Sequence, residues 1–240
     1  MTLFLSHRGE SDDAPENTLV AFCLAMQRDS DGIELDIRLT ADRQVVCVHD
    51  ETLERVAGAP LAVESSTFEE LRSCWPVPLL GKALAVLLPG KMMQIELKGT
   101  PETVPSLKAV LDDWKGDRGR LVLSSFEPET IRCASEVFPD LPRVLLIDLE
   151  RHFGRFPDAA EIAALMRESG CTGVSFKATE SASPEFVKSL HDAGMRVVVW
   201  GVSSDALGLR MAEAGIDAMT CNHAVALREK WRSLSGARRG

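Results

Sequence analysis

Short apolar runs recur along the chain and alternate with segments whose apolar residues follow helical spacing. Nine of these runs predict β-strands, at residues 3–7, 32–39, 45–49, 92–98, 121–126, 143–148, 173–177, 196–201 and 217–221. Between most of them the apolar positions fit an amphipathic helix, as at Phe186, Val187 and Leu190. Repeated strand, helix, strand order predicts a mainly parallel sheet, either open or closed into a barrel.

The number of strands favours the closed form. Only eight residues separate Asp36 from Val45, whereas a parallel crossover ordinarily needs a dozen or more. Strands 32–39 and 45–49 are therefore predicted to form a hairpin, which leaves eight parallel strands. We expect an α/β fold, a (β/α)8 TIM barrel that forms a single domain over residues 1–240, with a β-hairpin extension after the second strand.

The register of this hairpin decides which side chains meet. A turn centred on Ala41 and Asp42 would pair Thr40 with Arg43. His49 would then lie opposite Glu34, on the face that carries the acidic side chains. A slip of one residue would place His49 on the other face.

Acidic residues on two predicted strands indicate a metal site. In "DGIELDIRLT", Glu34 and Asp36 are two apart and point the same way. Two like charges there are costly unless a positive charge lies between them. "MQIELKG" repeats the spacing with Glu96 and Lys98. Three carboxylates favour Mg²⁺, Ca²⁺ or Mn²⁺ over zinc, although Glu34 and Asp36 could instead face solvent on an edge strand, and Glu96 could simply pair with Lys98.

Composition excludes several classes of partner. The net charge of −9 argues against nucleic acid or an anionic membrane, which require clustered basic residues. The one basic cluster is Arg238 and Arg239 in the tail. Neither a signal peptide nor a stretch long enough to span a membrane is visible, so we expect a cytoplasmic protein without a stable membrane anchor. The six cysteines form no C-x-x-C pair and are expected to be reduced and mostly buried. No pattern indicates the oligomeric state.

Several motifs resemble those of the glycerophosphodiester phosphodiesterase family. "SHRG", "APENT", "GIELDIRLT" and "VVCVHDETLERV" occur in this order across residues 6–56, and "QIELKG", "LSSFEPE" and "HDAGMRVVVWGVSS" follow later. The resemblance covers nearly the whole chain. It implies a (β/α)8 barrel that hydrolyses small glycerophosphodiesters to sn-glycerol 3-phosphate and an alcohol.

The resemblance also implies roles for eight residues. His7 and His49 would be the general base and acid, and Glu34, Asp36 and Glu96 would bind a divalent cation. Arg8 and Lys98 would contact the substrate phosphate, and Trp200 would line the substrate pocket. Phe126 is a second aromatic candidate for the pocket wall, with simple core packing as the alternative.

The sequence departs from the family pattern in three places, one of which is Arg43 in the hairpin turn, where glycine is common. The family's small insertion is expected to be shortened near residues 57–80, which would leave the mouth of the barrel more open. The last strand reads "TCNH" where T-D-x-P is usual, so Asn222 replaces an acid and is expected to weaken a bond at the closure of the barrel. We also expect Asn17 to cap the first helix and Gly9 to limit bulk near the phosphate.

Two other functions stay open at this point. A lysophospholipase D-like enzyme would need an apolar channel or patch, for which "CWPVPLL" at residues 74–80 is the only candidate. A non-catalytic barrel that binds phosphodiesters would not need two proton carriers, so the presence of both histidines argues against it.

Overall fold

The computed structural model describes residues 1–237, in which nine strands and eleven α-helices alternate. The strands are β1 Leu3–His7, β2 Gly32–Leu39, β3 Val45–Cys47, β4 Met92–Leu97, β5 Leu121–Ser125, β6 Arg143–Ile147, β7 Gly173–Lys177, β8 Arg196–Trp200 and β9 Ala218–Cys221. The helices are α1 Leu19–Gln27, α2 Glu54–Ala57, α3 Phe68–Cys74, α4 Leu80–Val86, α5 Thr103–Asp113, α6 Pro128–Val137, α7 Leu149–Phe153, α8 Ala159–Ser169, α9 Pro184–Asp192, α10 Asp205–Ala214 and α11 Ala224–Ala237. Arg238 and Arg239 lie outside the described residues.

Eight parallel strands close into a barrel. The ring runs β1, β9, β8, β7, β6, β5, β4, β2 and returns to β1 through the β1–β2 pairing. Helices lie between these strands in the chain, and their apolar residues pack on the outer faces of the strands. The predicted (β/α)8 barrel is therefore confirmed, and β3 is an extra strand bonded outside the ring.

The extra strand pairs with the part of β2 that projects beyond the ring. β2 pairs with β1 only as far as Glu34, whereas β3 pairs with its last three residues in antiparallel fashion. The hairpin is as predicted, but its register is wrong by one residue, because Ile37 rather than Asp36 lies opposite Cys47. The loop holds three residues instead of two, and its third, Arg43, has a left-handed φ of 58°. A two-residue loop needs residues that adopt positive φ at its centre, and Ala41 is poorly suited to that.

Successive side chains along each strand point alternately into and out of the barrel, and those that point inward fill its interior in layers. The floor is an apolar cluster that comprises Leu5, Met92, Val122, Val144, Val198 and Ala218. Further along the same faces the side chains are polar, as at Gln94 on β4 and Ser124 on β5, where the amide donates to the hydroxyl at 3.3 Å. Full burial of one apolar floor side chain stabilises the fold by about 1.5–3 kcal/mol. The polar side chains of the active site thus lie above this apolar floor, toward the end of the barrel where the strands terminate.

Two smaller predictions are resolved by the same coordinates. Among residues 1–237, no helix is both long and apolar enough to cross a membrane. All six cysteines are free thiols, but Cys23 and Cys74 are exposed, so only part of that set is buried as expected.

Candidate active site

Three buried carboxylates converge where β2 and β4 end. Asp36 pairs directly with Glu96 across these parallel strands, and Glu34 lies two residues earlier on the same face. Oxygen atoms of the three side chains all lie within 4.8 Å of one another. The strand register therefore brings together the acids that the sequence placed on separate strands.

The charges of this cluster are only partly balanced. Burial, followed by repulsion from Asp36 and Glu96, raises the pKa of Glu34 well above its ordinary value. Burial and Asp36 likewise raise the pKa of Glu96. Burial alone would also raise the pKa of Asp36, but Lys98 and Arg8 hold it below its ordinary value. Three oxygen ligands with an excess of negative charge suit a hard divalent cation, so the residues present fit the predicted metal.

Asp36 has the most partners of the three acids. Its Oδ2 accepts from Nδ2 of Asn17 at 2.8 Å and pairs with Nε of Arg8 at 3.1 Å, while Lys98 lies 3.2 Å from Oδ1. The backbone N–H of Asp36 in turn donates to Oδ1 of Asn17. The prediction that Asn17 caps the first helix is wrong, because Thr18 is the N-cap of α1 and the Asn17 side chain holds Asp36 instead.

The last residue of β1, His7, and the first residue of the following loop, Arg8, lie at the same end of the barrel. Arg8 has a left-handed φ of 56°, and its N–H donates to Oε2 of Glu34 at 3.2 Å. Gly9 follows with a φ of 82°. A Cβ at Gly9 would lie 2.6 Å from the backbone of Ala21, so close packing against α1, together with the positive φ, accounts for this glycine.

His49 reaches the site from outside the ring. An extension of the β3 ladder would turn its side chain to the outer face. The strand ends at Cys47, however, and Nε of Arg38 donates to the carbonyl oxygen of His49 at 2.9 Å. The imidazole lines the same cavity as His7, so the residue reaches the predicted place although the predicted register is wrong.

A chain of ion pairs connects His49 to Arg8. Nδ1 of His49 lies 2.5 Å from Asp50, whose other oxygen accepts from Nε of Arg55 at 2.6 Å. Arg55 also makes two hydrogen bonds to Glu16, at 2.7 and 2.8 Å, and Glu16 accepts from Arg8 at 2.9 Å. Burial would raise the pKa of Asp50, but the bonds from Arg55 and His49 lower it to about 2. We define Asp50, Arg55 and Glu16 as the bridging network.

The two histidines have different immediate partners. Burial and the charge of Arg8 lower the pKa of His7, whose Nδ1 lies 2.8 Å from Oδ1 of Asn222. Burial also lowers the pKa of His49, against the opposing effects of Asp36 and Asp50. Asn222, which replaces an acid of the family pattern, had been expected to weaken a bond at the closure of the barrel. The structure shows instead that Asn222 forms a bond there, to His7.

One cavity of about 430 Å³ lies at the carboxyl ends of the strands, and its wall includes both histidines, Glu34, Glu96, Arg8, Lys98 and Asn222. One wall is aromatic, since the rings of Phe126 and Trp200 meet edge to face at 5.2 Å. Nε1 of Trp200 donates to the carbonyl oxygen of Ser175 at 3.2 Å, and Lys98 lies 5.7 Å from the Phe126 ring centroid.

The structure brings all nine predicted site residues to this end of the barrel. Eight of them line the cavity, and Asp36 lies behind it against Arg8 and Lys98. Sequence reasoning assigned no role to Asp50 or Arg55, although Asp50 directly follows His49 in the quoted "VVCVHDETLERV". A carboxylate next to a candidate catalytic histidine was the available signal.

A (β/α)8 barrel with these groups at the carboxyl ends of its strands belongs to the class of barrel enzymes, whose active sites occupy that rim. The model of the glycerophosphoryl diester phosphodiesterase family matches residues 7–226. The chain belongs to this family.

A relative of the same family matches most of the chain, and solved structures share its fold. A glycerophosphodiester phosphodiesterase of Caldanaerobacter subterraneus subsp. tengcongensis is 28% identical, over 90% of this chain and 92% of the relative. The crystal structure of a Thermotoga maritima glycerophosphodiester phosphodiesterase has a TM-score of 0.80 at 24% identity, covering 95% of this chain and 98% of that one. An Oleispira antarctica phosphodiesterase in complex with the product sn-glycerol-3-phosphate has a TM-score of 0.83 at 23% identity, with 94% of each chain covered.

Proposed function

We propose that the protein hydrolyses small glycerophosphodiesters to sn-glycerol 3-phosphate and an alcohol, with the help of a divalent cation. The observation that carries this proposal is the convergence of three buried carboxylates, two histidines and two basic side chains on one cavity. Family membership supports the same reaction.

Glu34, Asp36 and Glu96 would hold the cation, and Arg8 and Lys98 would contact the phosphate. When bound, the cation offsets negative charge on the phosphoryl oxygens. Lys98 remains charged, since Asp36 and Glu96 outweigh the effect of burial and raise its pKa. The positive side chains counter the charge that develops on the phosphoryl oxygens in the transition state.

The two histidines would move the protons. A hydroxyl group, of water or of the substrate glycerol, attacks phosphorus and gives its proton to His7. The bond from phosphorus to the alcohol oxygen breaks, and His49 protonates the departing oxygen. Attack by water gives sn-glycerol 3-phosphate directly, whereas attack by the glycerol hydroxyl gives a cyclic phosphate that water then opens, with His49 as the base and His7 as the acid of that second step. The partners support this order, because the carboxylate of Asp50 stabilises a protonated His49, whereas His7 faces the neutral amide of Asn222.

The decisive experiment is an assay of the purified protein on a panel of glycerophosphodiesters and lysophospholipids. Each substrate would be incubated with Mg²⁺, Ca²⁺, Mn²⁺ or EDTA, and free sn-glycerol 3-phosphate would be measured. We expect product from small glycerophosphodiesters only when a cation is present. Full activity in EDTA would refute the metal, and no turnover on any substrate would favour a phosphodiester-binding protein.

The pH dependence follows from the environment of His7. Burial and Arg8 lower its pKa, so the neutral, basic form persists to lower pH than in an isolated histidine. The positive charge of a bound cation would also lower the pKa of His7. We expect the limb on which kcat/KM falls with falling pH to be centred below about 6.5, the ordinary histidine value. The cation must saturate the site, because Glu34 and Glu96 also have raised pKa values and would otherwise contribute to this limb. Under that condition, and at constant ionic strength, a limb centred above pH 7 would contradict His7 as the base.

The lysolipid alternative gains no support from the stretch that suggested it. In residues 74–80, Val77 and Leu80 are buried, and Trp75 packs against the cluster around Val46. None of these residues lines the cavity. Phe126 is the one large exposed apolar side chain in the cavity wall within residues 1–237, so we favour water-soluble substrates.

A further inference from the structure

The imidazole of His7 contacts Asn222, which in turn bonds to Asp12, and the proposed reaction gives neither of these two side chains a step. Nδ1 of His7 lies 2.8 Å from Oδ1 of Asn222, and Nδ2 of Asn222 donates to Oδ1 of Asp12 at 3.1 Å. Asn222 directly follows β9, and Asp12 lies in the loop between β1 and α1. The two residues therefore connect the first and last strands of the barrel beside the cavity that both line.

Donor and acceptor chemistry allows one arrangement of hydrogens along this chain. A carboxylate only accepts, so Asp12 selects the orientation of Asn222 in which the NH₂ group faces it. The carbonyl oxygen of Asn222 then faces His7, and it too can only accept. Nδ1 of His7 must therefore carry hydrogen, and in the neutral ring Nε2 is left without one.

The free nitrogen is the one that faces the carboxylates. Nε2 of His7 lies 3.9 Å from Oε2 of Glu34. We propose that Asn222 and Asp12 are positioning residues that hold His7 in the Nδ1–H tautomer, with Nε2 as the proton acceptor. The role given to Nε2 rests on the proposed function, whereas the tautomer itself can be measured without turnover.

The first measurement is NMR of the full-length protein labelled with ¹⁵N-histidine. Long-range ¹H–¹⁵N spectra distinguish the two neutral tautomers of each ring, and the signals of His7 are those lost in His7→Gln. We expect the Nδ1–H form to predominate for His7 in the wild-type protein. Predominance of the Nε2–H form would overturn the proposal.

Three variants test the two partners. Asn222→Leu has similar size but no acceptor, so we expect His7 to shift toward the Nε2–H form and kcat to fall about 10- to 100-fold with KM little changed. Asp12→Asn alone no longer selects one orientation of the Asn222 amide, so we expect a smaller shift of His7 toward the Nε2–H form. The double variant Asp12→Asn with Asn222→Asp reverses the roles, since an aspartate accepts from both neighbours. We expect it to restore the Nδ1–H tautomer and most of kcat.

A matched control removes the neighbouring carboxylate. Asp13 pairs with Arg28 and makes no bond to Asn222, so Asp13→Asn should leave both the tautomer and kcat unchanged. The proposal is overturned if Asn222→Leu keeps the Nδ1–H form, or if the double variant fails to restore it in a folded protein. If the expected tautomers appear but the wild-type protein turns over no glycerophosphodiester, the positioning role stands and the proposed reaction is wrong.

Discussion

Replacement of His49 by alanine lowers kcat on a glycerophosphodiester by about 10²- to 10⁴-fold, the usual contribution of one general acid. The reason is that an alkoxide leaves phosphorus poorly unless it is protonated as the bond breaks. His49 is held in the cavity by Asp50 and by the bond from Arg38 to its carbonyl oxygen. Steady-state kinetics on the purified variant, with the cation in excess, measures the loss.

The same variant can determine which histidine is the acid. When the alcohol of the substrate is p-nitrophenol, the leaving group departs readily without a proton. On such a substrate His49→Ala should recover most of the wild-type rate. A variant that lacks the base, His7→Ala, should remain slow on both substrates. Recovery by His7→Ala instead would reverse the assignment. His191→Ala is the matched control, because this imidazole pairs with Asp217 outside the cavity and should be dispensable.

Replacement of Glu34 by glutamine should abolish cation binding without unfolding the protein. The pKa of Glu34 is raised by burial and by its acidic neighbours, so its charge destabilises the cation-free fold once the pH rises above the ordinary glutamate value. An amide relieves this repulsion and can still accept from the Arg8 N–H. We expect the melting temperature of the cation-free variant to equal or exceed that of the wild-type protein near neutral pH.

Loss of the cation should also be visible in activity and in ligand-induced stability. Mg²⁺, Ca²⁺ or Mn²⁺ should raise the melting temperature of the wild-type protein and leave that of Glu34→Gln unchanged. We expect kcat to fall by at least about 100-fold, since a cation contributes several kcal/mol of charge stabilisation. Glu69→Gln removes an exposed carboxylate of α3 and serves as the control. A wild-type cation shift that persists in Glu34→Gln would place the cation elsewhere.

Much of the fold could be predicted because the positions of the strands depend on short, local stretches of sequence. Strand positions follow from short apolar runs, and the two-residue period places Glu34 and Asp36 on one face wherever the strand lies. That Asp36 would meet Glu96 depends on the register between β2 and β4, which a parallel barrel largely dictates. The hairpin register was harder, because it depends on the conformation of Arg43 at a turn with no glycine to mark it.

The missed contacts are those between segments distant in sequence. Asn17 looked like a helix cap because capping is a local preference, yet the fold places its amide against Asp36 on β2. The replacement of an acid by Asn222 was expected to cost a bond, yet the closed barrel places Asn222 beside His7, 215 positions away in the sequence, where its amide oxygen is an acceptor. Local chemistry gave each residue several possible partners, and only the closed barrel selects one.

The bridging network has a consequence for engineering of the mouth. Arg55 lies in the segment after β3 and donates hydrogen bonds to both Asp50 and Glu16. These bonds connect that segment to the loop that carries Arg8. Grafting the 50–80 region of another barrel onto this scaffold to alter leaving-group preference would remove both Arg55 bonds from Glu16, and leave it only Arg8, unless an equivalent arginine came with the graft. Chimaeras should therefore exchange the two loops as one module.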